Sequence, residues 1–192
     1  YLIDNQGSKR KIYDIPQDEL RDAWENPVVT RFYDGNFYVG NNNYIRSFSS
    51  SGEYDESIPL IDLISIGELD SFDIFNDKIA IAQSNNGGDK GFLRVLSKDN
   101  GNWTEEYGTR VDKGATGLAT DVKFINENSL LIVGEDVTAG NPDGFIAKYS
   151  FIDHSSTNQP NEWGEDWYER DGESYNYYRL DLSKDNEINV IG

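Results

Sequence analysis

Trp163-Gly-Glu-Asp-Trp167-Tyr168 sets two indoles and a phenol among carboxylates, and Tyr175, Tyr177 and Tyr178 follow within ten residues. Aromatic faces beside hydrogen-bond acceptors are the means by which carbohydrate and cationic ligands are held. Trp163, Trp167, Tyr168, Tyr175 and Tyr177 are therefore the candidate ligand-binding residues. The opposing expectation is that the tryptophans fold back and cap the core, because Trp is normally largely buried.

A second chemistry is calcium binding. Asp181-Leu-Ser183-Lys-Asp185-Asn-Glu187 places oxygen-bearing side chains at alternate positions, as an EF-hand-type loop does. The pattern departs at its sixth position, Asn186, where glycine belongs, and at its twelfth, Gly192, where a bidentate glutamate belongs. Read without a metal it is a polar hairpin turn. Asp136 and Asp143, in the loop Glu135–Asp143, are the other candidate ligands. Calcium is the one cofactor that these residues would hold.

Other constellations are weaker. His154, the only histidine, is flanked by Asp153 and Ser155, but neighbours in sequence do not make a triad geometry. With a single histidine and no cysteine, multi-histidine and thiolate metal sites are excluded, as are disulfides and thiol catalysis. Among 35 acidic residues some pair will lie at glycosidase spacing by chance, and the sequence selects none. Asn102-Trp103-Thr104 is a glycosylation sequon, meaningful only in a eukaryotic secreted setting.

The elements that must position these residues recur. Tyr1-Leu-Ile-Asp4, Tyr44-Ile-Arg-Ser-Phe48, Phe92-Leu-Arg-Val-Leu96 and Phe145-Ile-Ala-Lys-Tyr149 open four segments at spacings of 43, 48 and 53 residues. The first three run on into a Gly-containing polar turn and a second strand, a hairpin signature. Between them lies a second hairpin: 30–39 turning at Asp34-Gly35, 72–81 turning at Asn76-Asp77, and 122–133 turning at Asn126–Asn128. Two hairpins per period make four strands, the anatomy of a propeller blade. The expectation is an all-β chain, a β-propeller or an arc of one, with about four four-stranded blades; a β-sandwich is the alternative. The chain is taken as a single domain over 1–192, with an irregular aromatic and acidic insert at 153–174. Pro16 and the residues to Trp24 read as a short helical connector.

Residues 34–52, Asp-Gly-Asn, an apolar strand, an Asn-rich turn, Ile-Arg-Ser-Phe and a Gly turn, resemble an NHL-type blade core. Leu131-Ile-Val-Gly134 followed by Asp143-Gly-Phe-Ile-Ala-Lys-Tyr149 is similar to bacterial propeller repeats of the SBBP type. The resemblance spans about residues 1–150 and implies a propeller fold. It brings no functional residues, and the single histidine rules out the metal-dependent lyase chemistry known for some NHL-type propellers.

Composition bounds the partners. Of 192 residues, 36% are hydrophobic and 13% aromatic, enough for a packed core. The net charge of −18 argues against nucleic acid, which needs a basic footprint, and against anionic membrane surfaces. It fits a solvated acidic surface. No apolar run reaches membrane-spanning length, and no targeting segment is visible. The chain opens on Tyr1 rather than Met, as expected of a processed chain or a piece of a longer one. Together these features point to a non-enzymatic extracellular or cell-surface binding or adhesion scaffold, its ligand a carbohydrate or a protein. The alternatives are a carboxylate-based glycan hydrolase or lyase, and a purely structural module of a larger surface assembly.

Overall fold

The computed structural model describes residues 2–3, 9–10, 29–60, 67–85, 89–138, 141–152, 162–170, 179–183 and 188–191. The fold is all-β. Strands β1 (Leu2–Ile3) and β2 (Lys9–Arg10) pair as a short hairpin. The first four-stranded sheet contains β3 (Val29–Tyr33), β4 (Asn36–Gly40), β5 (Tyr44–Ser49) and β6 (Tyr54–Pro59). The second contains β7 (Glu68–Phe75), β8 (Lys78–Ser84), β9 (Gly91–Asp99) and β10 (Asn102–Arg110). The third contains β11 (Thr116–Asn126), β12 (Ser129–Thr138), β13 (Asn141–Ile152) and β14 (Glu162–Arg170). A hairpin of β15 (Arg179–Leu182) and β16 (Ile188–Ile191) follows. In each four-stranded sheet, spatial order equals chain order and every pair is antiparallel.

The sheets meet through their first strands: β3 lies against β7, β7 against β11, and β11 against β15. This order of antiparallel sheets is consistent with a propeller-like arc or a β-sandwich. The expected turns close the inner hairpin of the first sheet and the outer hairpin of the second. Asp34 and Gly35 have φ of 45° and 79°, and Asn100 and Gly101 have 49° and 83°. Two successive left-handed residues match the twist of the flanking strands, which is why Asp-Gly and Asn-Gly stand there.

The core is partitioned by the two-residue period of the strands. In β8, Ile79 and Ile81 pack toward the first sheet with Ile45, Ile58 and Phe72. Ala80 and Ala82, the alternate residues, face Val122, Phe145 and Trp163 of the third sheet. In β12, Leu130 and Ile132 join that same cluster, while Leu131 and Val133 pack on Leu180 of the terminal hairpin. Both faces of these middle strands are covered, so the apolar run Leu130–Val133 has no polar alternation. Each such buried aliphatic side chain contributes about 1.5–3 kcal/mol.

The stretch 153–174, expected as an irregular insert, carries β14, the fourth strand of the third sheet. Its alternation is masked by a β-bulge. Lys148 pairs with Trp167 and Tyr149 with Glu165, leaving Asp166 without a partner in the ladder. The extra residue keeps Trp163 and Tyr168 on one face although they are five apart. The same irregularity leaves Asp55 unpaired in β6 and Glu106 in β10. The bulged residue is thus acidic in the fourth strand of all three sheets. Residues 16–24, expected as a connector, lie outside the described residues.

Candidate functional site

The inner strands converge on one carboxylate. Asp121 of β11 is buried at 4% exposure. Its Oδ1 accepts hydrogen bonds from Arg31 Nη2 of β3 at 2.9 Å, from Ser71 Oγ of β7, and from the Val122 backbone N–H at 3.0 Å. Its Oδ2 accepts the Leu180 backbone N–H of β15 at 2.9 Å. Nearby, Asp73 Oδ2 of β7 accepts the Phe124 N–H at 2.8 Å, and its Oδ1 lies 3.4 Å from Lys123 Nζ. Burial pushes the Asp73 carboxyl above its ordinary range, with Lys123 opposing. Both oxygens of Asp121 are engaged by the protein itself, so this cluster ties strands together.

The predicted aromatic residues separate. Trp163 is 2% exposed. Its ring lies 5.9 Å from that of Phe151 and 6.4 Å from that of Phe124, with Lys78 Nζ 5.3 Å from its centroid. Tyr168 stacks on Phe145 at 5.2 Å and donates its hydroxyl proton to Asp136 Oδ2 at 2.6 Å. That hydrogen bond and burial push the phenol far above its ordinary range, burial acting most. Trp167, on the opposite face of β14, is 38% exposed. Tyr175, Tyr177 and Tyr178 lie outside the described residues. The two indoles do not form one platform.

Of the predicted metal ligands, Asp136 and Asp143 lie opposite each other on β12 and β13. Asp136 is fully buried and accepts hydrogen bonds from Arg170 Nη2 and the Lys113 N–H as well as Tyr168. Asp143 lies 3.9 Å from Arg170 Nη1. A guanidinium therefore stands between these two carboxylates. Asp181 is exposed on β15 and Ser183 follows it, while Asp185 and Glu187 lie outside the described residues, as does His154. Among the described residues, no group of three or more His, Cys, Asp or Glu side chains is placed to hold a metal ion.

A groove of about 570 Å³ opens between the first two sheets at their hairpin-turn end. Asp34 and Asn36 border it from the first inner turn, Asn76 and Asp77 from the second, and Glu127 from the third. Tyr38, Lys78 and Lys98 complete the polar wall. The frame is tied. Tyr33 OH accepts the Asn76 N–H and donates to Asn76 Oδ1, both at 3.0 Å, fixing β3 to the turn of the second sheet. Lys98 donates to Glu56 at 2.9 Å above the Trp103 ring, and Trp103 Nε1 donates to the same carboxylate at 3.1 Å. Lys78 lies 3.6 Å from Glu106, the bulged acid of β10, and 4.7 Å from the Phe151 ring centroid. Burial pushes the Tyr38 phenol up against the opposing Asn36 hydrogen bond, and Asp55, Glu56 and Asp34 push the same way, so it stays a proton donor.

Several of these groove residues stand in the repeated turns, but none belongs to a chemical motif that marks it as a ligand contact. The available signal was the repeat itself: equivalent turns must emerge at one end of the arc, and their flanking polar residues with them. The chain matches no protein-family model, and no curated relative matches it.

Proposed function

We propose that the chain is a non-enzymatic binding or adhesion scaffold of an extracellular or cell-surface setting, a propeller-type domain resembling the NHL-type and SBBP-type blades of bacteria. The observation that carries this reading is the groove at the hairpin-turn end of the first two sheets. It is concave and polar, and the second-sheet turn that borders it is hydrogen-bonded to β3 through Tyr33. Rigid elements presenting a preformed recess suit recognition, because little ordering entropy is lost on binding. Carbohydrate and protein are the ligand classes in view, and the net charge of −18 disfavours nucleic acid.

The test is to probe glycan and peptide arrays with the labelled chain and to incubate the same oligosaccharides with it in solution. Saturable retention without product release is expected. Release of shortened glycans would replace this reading with that of a carboxylate-based hydrolase or lyase. Failure to retain any array member would leave the structural-module alternative in its place.

A further inference from the structure

We infer that the groove between the first two sheets takes a neutral, hydroxyl-rich ligand, one or a few sugar residues, in contrast to a charged side chain or an apolar molecule. The inference rests on the binding-scaffold reading above and narrows it to a ligand class and a set of contacts.

The argument starts from the signs on the wall. Asp34, Asp77 and Glu127 present carboxylates. An anion entering the groove meets all three. Lys78 and Lys98 present ammonium groups. Each already has a carboxylate partner, Glu106 and Glu56 respectively. A cation entering the groove meets the ammonium groups of both lysines, so neither sign of charge finds a wall of the opposite sign alone. An apolar ligand would strip water from every one of these groups and return no hydrogen bond, an unfavourable exchange for each of them.

A hydroxyl meets the opposite situation. It donates one hydrogen bond and accepts two. It bridges a carboxylate and an ammonium or amide, and a sugar ring carries several such groups at fixed spacing. The wall interleaves the two kinds of partner: acceptors at Asp34 and Asp77, donors at Tyr38, Lys78 and Lys98, and the Asn36 amide with both. The volume of about 570 Å³ falls within the range of about 300–1,000 Å³ usual for small-ligand sites.

The contacts are also preorganised. Asn76 is held by Tyr33, Lys98 by Glu56 and Trp103, and Lys78 by Glu106 above the Phe151 ring. Ligand atoms would replace water at these groups without first reordering the side chains.

The experiment follows backbone amide shifts of the isotope-labelled chain on titration with neutral hexasaccharides of several linkages, with a lysine decapeptide, and with a sulfated polysaccharide. It is repeated with Tyr38→Phe and Asp77→Asn, each first checked to melt at the parent temperature. The expected result is that at least one neutral hexasaccharide shifts amides of residues 33–38 and 76–78. Each variant should weaken its binding about fivefold to tenfold, the value of one lost hydrogen bond. Shifts of those amides by the decapeptide or the polyanion alone would overturn the ligand class while leaving the scaffold reading intact. Shifts confined to other surfaces, or unaffected by both variants, would overturn the groove as the site. Absence of shifts with every probe would do the same, and the scaffold reading would then stand or fall on the arrays. Hydrolysis of a hexasaccharide held in the groove would support the ligand class and overturn the non-enzymatic reading.

Discussion

Arg31 of the first sheet and Asp121 of the third are hydrogen-bonded at 2.9 Å, reaching past the second sheet that lies between them in chain order. Ser71 of that second sheet donates to the same Asp121 oxygen. One carboxylate thereby joins three sheets and, through the Leu180 N–H, the terminal hairpin.

Asp121→Ala should therefore be among the most destabilising single changes in the chain. It leaves a half-buried guanidinium, a hydroxyl and two backbone N–H groups without their acceptor, and the expected loss is about 3–5 kcal/mol. Arg31→Met removes only one donor from a carboxylate that keeps three others, and should cost about 2 kcal/mol. Urea unfolding of both variants checks the order. Equal midpoints for parent and Asp121→Ala would refute the keystone role.

Asp70 gives a pH dependence of known sign. Burial raises its carboxyl from 3.8 to about 6, with Glu68 adding to the rise and the Ser84 hydrogen bond opposing it. The folded chain then holds this proton more tightly than the unfolded chain. The stability from this group is fully present below about 3.8 and is lost as pH rises through about 6. The span corresponds to about 3 kcal/mol as an upper value. Asp70→Asn should be more stable than the parent at pH 7.5, and the gap should close between about pH 6 and pH 4. Urea midpoints for both chains across that window test it, and a constant gap would contradict the assignment.

The two tryptophans of β14 should respond to truncation to very different extents. Trp163→Ala empties a site enclosed by Phe124, Phe151 and the β8 alanines, at about 3–5 kcal/mol. Trp167→Ala, on the exposed face, should cost about 1 kcal/mol or less. Thermal melts of the two variants decide, and a reversed order would mean that the face assignment of β14 is wrong.

At the turn of β9 and β10, Gly101 has φ of 83°. Gly101→Ala should cost about 1 kcal/mol, because a Cβ disfavours the left-handed region. Gly101→Asn should recover part of that loss, since Asn tolerates this conformation. Equal melting temperatures for the alanine variant and the parent would exclude the effect.

Much of the fold was legible in the sequence because its signals are local. Asp34-Gly35 and Asn100-Gly101 announce turns by residue type, and the third-strand motifs ending at Phe48, Leu96 and Tyr149 fall at equivalent places beside the three outer bulges. The strand β14 was hidden because Asp166 breaks the two-residue period on which strand recognition depends. Asp121 was hidden for another reason: its partners Arg31, Ser71 and Leu180 lie 90, 50 and 59 residues away. The tryptophans were visible as residues but not as faces, since only the register against β13 tells that Trp163 points inward and Trp167 outward. The groove depends on three turns meeting at one end, a property of the arc and of no single segment.

The bulged acids have a consequence for how copies of this chain behave in crowded solution. Strands β6, β10 and β14 are the last in their sheets, and such borders can template the growth of fibrils by recruiting strands from other molecules. Asp55, Glu106 and Asp166 interrupt the ladder there, so an incoming strand finds no continuous row of partners. They also set like charge against like when two copies approach border to border. Part of the acidity of this chain thus guards its sheet borders against self-association, a role written once in each four-stranded sheet.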